Sequence, residues 1–170
     1  MPFDARPADV TEESHGEPRA VALANARRKA LGIRSDPRDL VLGADTIVAV
    51  DGDILGKPAD ERRAREYLAR LAGRRHEVVG GIALAAGGAV LASDVVVTAV
   101  DFRAVAPEVL DWYVASGEWE GRAGGYAIQG KGAALVAGVC GDYLNVVGLP
   151  VARLLSLRPD LLPPAPPMQR

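Results

Sequence analysis

The chain has 170 residues, 49% hydrophobic and 25% charged, enough to bury one substantial core and short for two full-sized domains. Its net charge of −2 offers no basic surplus for gripping a polyanion, so long nucleic acid is not an expected partner. No run approaches the ~18 apolar residues that span a bilayer, no basic-then-apolar leader is seen, and the single Cys140 cannot close an intrachain disulfide; a soluble protein of the reducing cytosol is expected.

From the N-terminal side, Pro18 suits a first helical position, and Val21, Ala24 and the Ala30-Leu31 pair recur at helical spacing until Gly32, which predicts a helix over 18–31. Residues 40–44 and 47–50 read as strand, and Asp51-Gly52 is a turn signal before the short apolar step Ile54-Leu55. Asp60 can cap a helix in which Ala64, Tyr67, Leu68 and Leu71 share one face, with Gly73 beyond its end. The β-prone runs 78–85 and 89–100, joined around Gly87-Gly88, predict an antiparallel hairpin. Pro107 opens another helical pattern that Gly117 closes. A glycine-rich stretch over 121–132 follows; 135–140 and 143–147 then read as strands and 150–157 as a short helix. The proline-rich tail 159–170 is expected to be extended or disordered, leaving residues 1–158 as the domain. Strands interspersed with helices, plus one clear hairpin, predict an α/β domain with a mixed, partly antiparallel sheet.

Among chemically capable residues, Gly43-Ala44-Asp45-Thr46 follows an apolar strand, so a carboxylate and a hydroxyl are expected at a strand end. Asp45 there can hold a divalent metal or take a proton from water; a turn aspartate capping its own backbone is the competing reading. Of the 20 basic residues only Lys29, Lys57 and Lys131 are lysines, and a lysine kept against so strong an arginine preference suggests a need for a compact ammonium. Lys57, between Gly56 and Pro58, can fix a cation near a phosphate, or simply stand in solvent. Lys29 near a helix end is favourable to the dipole whatever else it does. Residues 125–131 nearly satisfy the phosphate-cradling pattern of glycine, four residues, then glycine-lysine, but Gly132 replaces the required hydroxyl and a strand is expected where that motif needs a helix. Gln129 in the same stretch can donate to and accept from a base edge, or face water. Glu12 and Glu13 can add a carboxylate to a metal site or form a solvated acidic loop. His15, His76 and Cys140 show no metal-like or nucleophilic spacing.

Seven segments occur in one order: Asp-Val-Thr-Glu at 9–12, Ala-Arg-Arg-Lys-Ala at 26–30, Gly-Ala-Asp-Thr at 43–46, Leu-Gly-Lys-Pro at 55–58, His-Glu-Val-Val at 76–79, Ala-Gly-Gly-Tyr-Ala-Ile-Gln-Gly at 123–130 and Asn-Val-Val-Gly-Leu-Pro at 145–150. Together they resemble the Maf family of nucleotide pyrophosphatases along nearly the whole chain up to the tail. The resemblance implies a two-lobed α/β fold around a cleft, similar to that of inosine triphosphate pyrophosphatases, and hydrolysis of a nucleoside triphosphate to monophosphate and pyrophosphate. Asp45 would be the proton acceptor, sharing a divalent metal (Mg or Mn) with Glu12; Lys29 and Lys57 would face the phosphates; Thr46 and Gln129 would bear on substrate choice. The pairing of Gly-Ala-Asp-Thr with Ile-Gln-Gly is similar to the branch that prefers dTTP and UTP. The implied partner is the nucleotide, in the cytoplasm, with neither membrane nor long nucleic acid; a homodimer and an association with cell-division arrest are left open. The competing reading is a non-catalytic nucleotide-binding or regulatory protein.

Three departures from the family pattern stand out. The family begins with a strand, a Ser- and Arg-rich phosphate-gripping loop and a helix, whereas Met1-Pro2-Phe3 corresponds to the segment after them, so an N-terminal truncation is expected. Gly80 stands where threonine is usual, and Gly121-Arg122 where an Asp-Lys pair is frequent in the pyrimidine branch.

Overall fold

The computed structural model describes residues 3–162. Helix α1 (Pro18–Gly32) starts where Glu17 accepts hydrogen bonds from the backbone N–H groups of Arg19 and Ala20, with proline in the first turn. Strand β1 (Val41–Val50) runs into β2 (Asp53–Leu55) through a two-residue turn, and β3 (Arg75–Ala86) into β4 (Ala89–Phe102) through another. Asp51 and Gly52, and Gly87 and Gly88, all take positive φ, as the tight turns matching strand twist require. Helix α2 (Glu61–Leu71) is capped by Asp60, whose carboxylate accepts from the Arg63 N–H at 2.7 Å. Helix α3 (Pro107–Val114), strand β5 (Val136–Cys140) and the short helices α4 (Tyr143–Val147) and α5 (Val151–Leu157) complete the order.

The α/β class with flanking helices is the expected one. The five strands lie in the order β2-β1-β3-β4-β5, and all four pairings are antiparallel rather than mixed. Two-residue hairpins can join only antiparallel neighbours, and they account for the β1-β2 and β3-β4 pairs.

Helix α1 covers one face of the sheet, where Val21 and Ala22 meet Ile47 and Val79, and Ala26 and Ala30 meet Ala83 and Ala85. The opposite face has two covers. At one end α2, α3 and the loop carrying Trp119, Tyr126 and Ile128 bury Val48, Val50, Val78, Val100 and Phe102. At the other, Leu154 of α5 packs on Ile82 and Leu84. Between them Asn145 of α4 closes over Gly80 of β3, and the part of β1 left beside it, around Ala44 and Thr46, opens into the cleft. Strand β3, enclosed on both faces, is buried without a break from Val78 to Ala85, which is why it reads as a continuous apolar run rather than an alternating one.

Three local expectations change. Residues 41–50 form one strand, so Asp45 lies mid-strand and not at a strand end. Residues 143–147, expected as strand, are helix α4: Asp142 caps it, and the buried Asn145 donates to Val78 O, Val96 O and Thr98 Oγ1. That anchoring overrides β propensity, and Tyr143, Leu144 and Val147 are left facing out. Residues 130–135 form a 3-10 helix before the strand begins at Val136. At the C-terminal end Pro159–Leu161 make a short 3-10 turn, while residues 163–170 of the expected extended tail lie outside the described residues.

Candidate active site

Alternate residues of β1 point to opposite faces of the sheet, so Asp45 faces α1 while Thr46 faces the other side. Both nevertheless line one cleft of about 320 Å³. Strand β2 pairs with β1 only over Val48–Val50, so among the described residues no strand lies along the outer edge of β1 at Asp45 and Thr46. The cleft therefore reaches around that edge and touches both side chains.

Asp45 is buried, and each of its oxygens has a donor. Lys29 Nζ donates to Oδ1 at 2.6 Å and Asn25 Nδ2 donates to Oδ2 at 3.0 Å. Lys29 also pairs with Glu12 Oε1 at 3.0 Å. Partial burial pushes the Lys29 ammonium down, but the hydrogen bonds to Asp45 and Glu12 outweigh it and hold the group above the usual lysine range. It is fully charged at neutral pH, with one carboxylate on either side.

Asn25 has no counterpart in the sequence reading. It is 1% exposed; its Nδ2 donates to Glu13 O and to Asp45, and its Oδ1 accepts from Glu13 N at 2.8 Å. One amide thus ties the acidic N-terminal segment and Asp45 to the same turn of α1. The sequence carried a signal: Asn25 is the polar member of the buried set Val21, Ala22, Asn25, Ala26 and Ala30, and a polar group on a buried helical face requires partners. Asn25→Leu keeps the volume and removes all three bonds, and it is expected to cost about 1–3 kcal/mol in denaturant unfolding. Unchanged stability would show that the freed groups find water instead.

The other wall carries Lys57, Arg122 and Gln129. The Lys57 loop is fixed where Gly56 O accepts from Gly124 N at 3.0 Å. Neither Lys57 nor Arg122 has a carboxylate partner among the described residues, so both cations are available to an anion. Lys131, the third lysine, does not line the cleft. Tyr126 closes the floor; its hydroxyl is 2.8 Å from His76 Nε2, and Phe102 packs edge-on to both rings. Burial pushes His76 down to about 4 and raises the Tyr126 phenol, so this cluster is neutral at physiological pH.

Of the expected site residues, Asp45, Thr46, Lys29, Lys57 and Gln129 line the cleft. Glu12 reaches it only through Lys29 and lines a wider concavity of about 650 Å³ beside α1. Among the described residues no three or more His, Cys, Asp or Glu side chains converge on one point. A magnesium ion, however, takes only one or two carboxylates and completes its shell with water and substrate phosphates. Asp45 and Glu12, already drawn together by a cation, fit that demand. No helix among the described residues is long and apolar enough to cross a membrane.

Comparison with known proteins places these groups in a broader setting. The family model described as Maf-like protein matches residues 1–159. A dTTP/UTP pyrophosphatase of Pyrococcus abyssi is 41% identical over 159 residues, covering 91% of this chain and 84% of the relative. One from Ruegeria sp. is 43% identical over 158 residues, covering 92% and 81%. One from Anaeromyxobacter sp. is 47% identical over 160 residues, covering 91% and 77%.

Proposed function

This chain belongs to the Maf-like protein family, and from that premise we propose that it is a nucleoside triphosphate pyrophosphatase acting on dTTP and UTP. The observation that carries the reading is the pairing of Asp45 with Lys29 on one wall of the cleft, opposite Lys57 and Arg122, whose charges are unmatched. A carboxylate beside two facing sets of cations suits attack by water on a polyanion.

In this reading Lys57 and Arg122 grip the phosphate chain, the guanidinium of Arg122 offering two parallel donors where lysine would offer a point charge. Lys29, by its hydrogen bond to Oδ1, holds the Asp45 carboxylate in place at the cleft. Only two of the roughly four acceptor positions of that carboxylate are taken by Lys29 and Asn25, leaving it able to accept a proton from water. The water oxygen bonds to the α-phosphorus, the bond from that phosphorus to the oxygen bridging to the β-phosphorus breaks, and its electron pair departs with pyrophosphate. Lys29 and Lys57 offset the charge gathering on the leaving group. A divalent cation held by Asp45 and Glu12 would supply Lewis-acid polarisation of the phosphoryl oxygens. Gln129 and Thr46 stand where they can meet the base and sugar. Cytoplasmic operation is part of the reading, supported by the single unpaired Cys140.

The test is product analysis. Incubation with dTTP, UTP and a purine panel, with Mg²⁺ or Mn²⁺ added, should yield nucleoside monophosphate and pyrophosphate, with the thymine and uracil nucleotides turned over fastest. Nucleoside diphosphate and orthophosphate would overturn the α-β assignment. Nucleotide binding without turnover would instead point to a regulatory binder.

A further inference from the structure

Gln129 has no side-chain hydrogen bond among the described residues, so its amide is free for a ligand and its position rests on its backbone alone. Two anchors hold that backbone. On one side Ile128 is buried in the α2-α3 lobe, and Ala127 N donates to the hydroxyl of the fully buried Tyr113 at 3.0 Å. On the other side the Glu118 carboxylate accepts from Lys131 N, at 2.9 Å to Oε2, and from Gly132 N at 3.3 Å. Only Gln129 and Gly130 lie between the anchors. The turn is also pinched at its base, where a Cβ on Gly132 would fall 1.9 Å from Ala127 O. Glu118 is itself placed by its neighbours: its N–H donates to Ser116 Oγ at 3.3 Å, and the adjacent Trp119 indole is buried and donates to Val114 O at 3.0 Å.

We propose that Glu118 is a specificity-positioning residue: by holding the Lys131 and Gly132 amides it fixes where Gln129 stands in the cleft and so how strictly the protein chooses its nucleobase. The inference rests on the nucleotide reading above and deepens it. A carboxylate suits the task because hydrogen bonds from N–H groups to an ionised acceptor are about twice as strong as neutral ones. Released from Glu118, the two-residue span can shift, and a displacement of about 1 Å is enough to spoil a directional contact to a base edge. Uracil and cytosine differ at one such edge, a carbonyl against an amine, so UTP against CTP is the sensitive comparison.

The experiment measures kcat and KM for UTP and CTP in wild type, Glu118→Ala, Glu118→Gln, Gln129→Ala and the Glu118→Ala/Gln129→Ala double variant, with hydrogen exchange at the Lys131 and Gly132 amides. Glu118→Ala should speed exchange at those two amides and reduce UTP-over-CTP discrimination about tenfold through KM, with kcat for UTP retained. Glu118→Gln, whose carbonyl still accepts, should restore most of both. The double variant should discriminate no worse than Gln129→Ala, because residues acting through one another are not additive. If Glu118→Ala does not fold, Glu118→Asp, one methylene short of the amides, must show the same loss. Unchanged discrimination in a folded variant, or additive losses in the double variant, would overturn the proposal. A wild-type protein without nucleotide turnover would instead overturn the function it rests on.

Discussion

Asp45→Asn is expected to remove most triphosphate turnover while the chain still folds. The amide is nearly isosteric with the carboxylate, but it cannot take a proton from water or carry the charge that Lys29 and a metal meet. Loss of a general base is typically worth about 10²- to 10⁴-fold. The surroundings add a second consequence. Both neighbours of the Asp45 carboxylate, Lys29 Nζ and Asn25 Nδ2, are donors, whereas asparagine offers one acceptor and turns its own N–H₂ toward the other donor. A buried donor left without an acceptor costs about 1–3 kcal/mol, so the variant should melt cooperatively a few degrees below wild type. Steady-state kinetics with UTP, together with a thermal melt, checks both parts. A variant that kept more than about half of its activity would remove Asp45 from the role of base.

Gly81→Ala is expected to produce the largest loss of stability for the smallest chemical change. Gly81 is the cross-strand partner of Asp45, and a Cβ there would fall 2.2 Å from Ala22 O and 2.5 Å from Ala22 C in the backbone of α1. Gly43, on the same face of β1, presents the same obstacle, its Cβ falling 2.2 Å from Ala26 O and 2.5 Å from Ala30 N. Helix backbone cannot rotate aside as a side chain can, so the whole of α1 would have to lift from the sheet. Overpacking of this kind costs typically 1–3 kcal/mol and occasionally more. Lifting α1 also carries Asn25 and Lys29 away from Asp45, so activity should fall further than the unfolded fraction explains. Gly56→Ala is the control: nothing lies within 4 Å of its Cβ position, and stability should change by no more than about 0.5 kcal/mol. Denaturant unfolding of Gly81→Ala, Gly43→Ala and Gly56→Ala orders them, and a Gly81→Ala protein as stable as Gly56→Ala would show that α1 does not seat on these glycines.

These two expectations mark a division between what the sequence determined and what folding added. Helices α1, α2 and α3 and the β3-β4 hairpin were legible because their signals are local: apolar spacing, a capping Asp60, prolines at helix starts and glycines in tight turns. Asp45, Lys29, Lys57, Thr46 and Gln129 were legible as an ordered set of short segments resembling one family. Tertiary structure decided the rest. Residues 143–147 carry β-prone side chains yet form α4, because Asn145 gains three partners on β3 and β4 that no local window contains. Asp45 sits mid-strand, and it lines the cleft because β2 stops short of it. Asn25 stands out only once α1 lies across β1, and Glu118 only once its carboxylate meets the turn at 131–132. In each case the deciding contact joins segments far apart in the chain, and the placement of one element on another follows from shape at the interface, here two glycines under a helix, which local propensity does not encode.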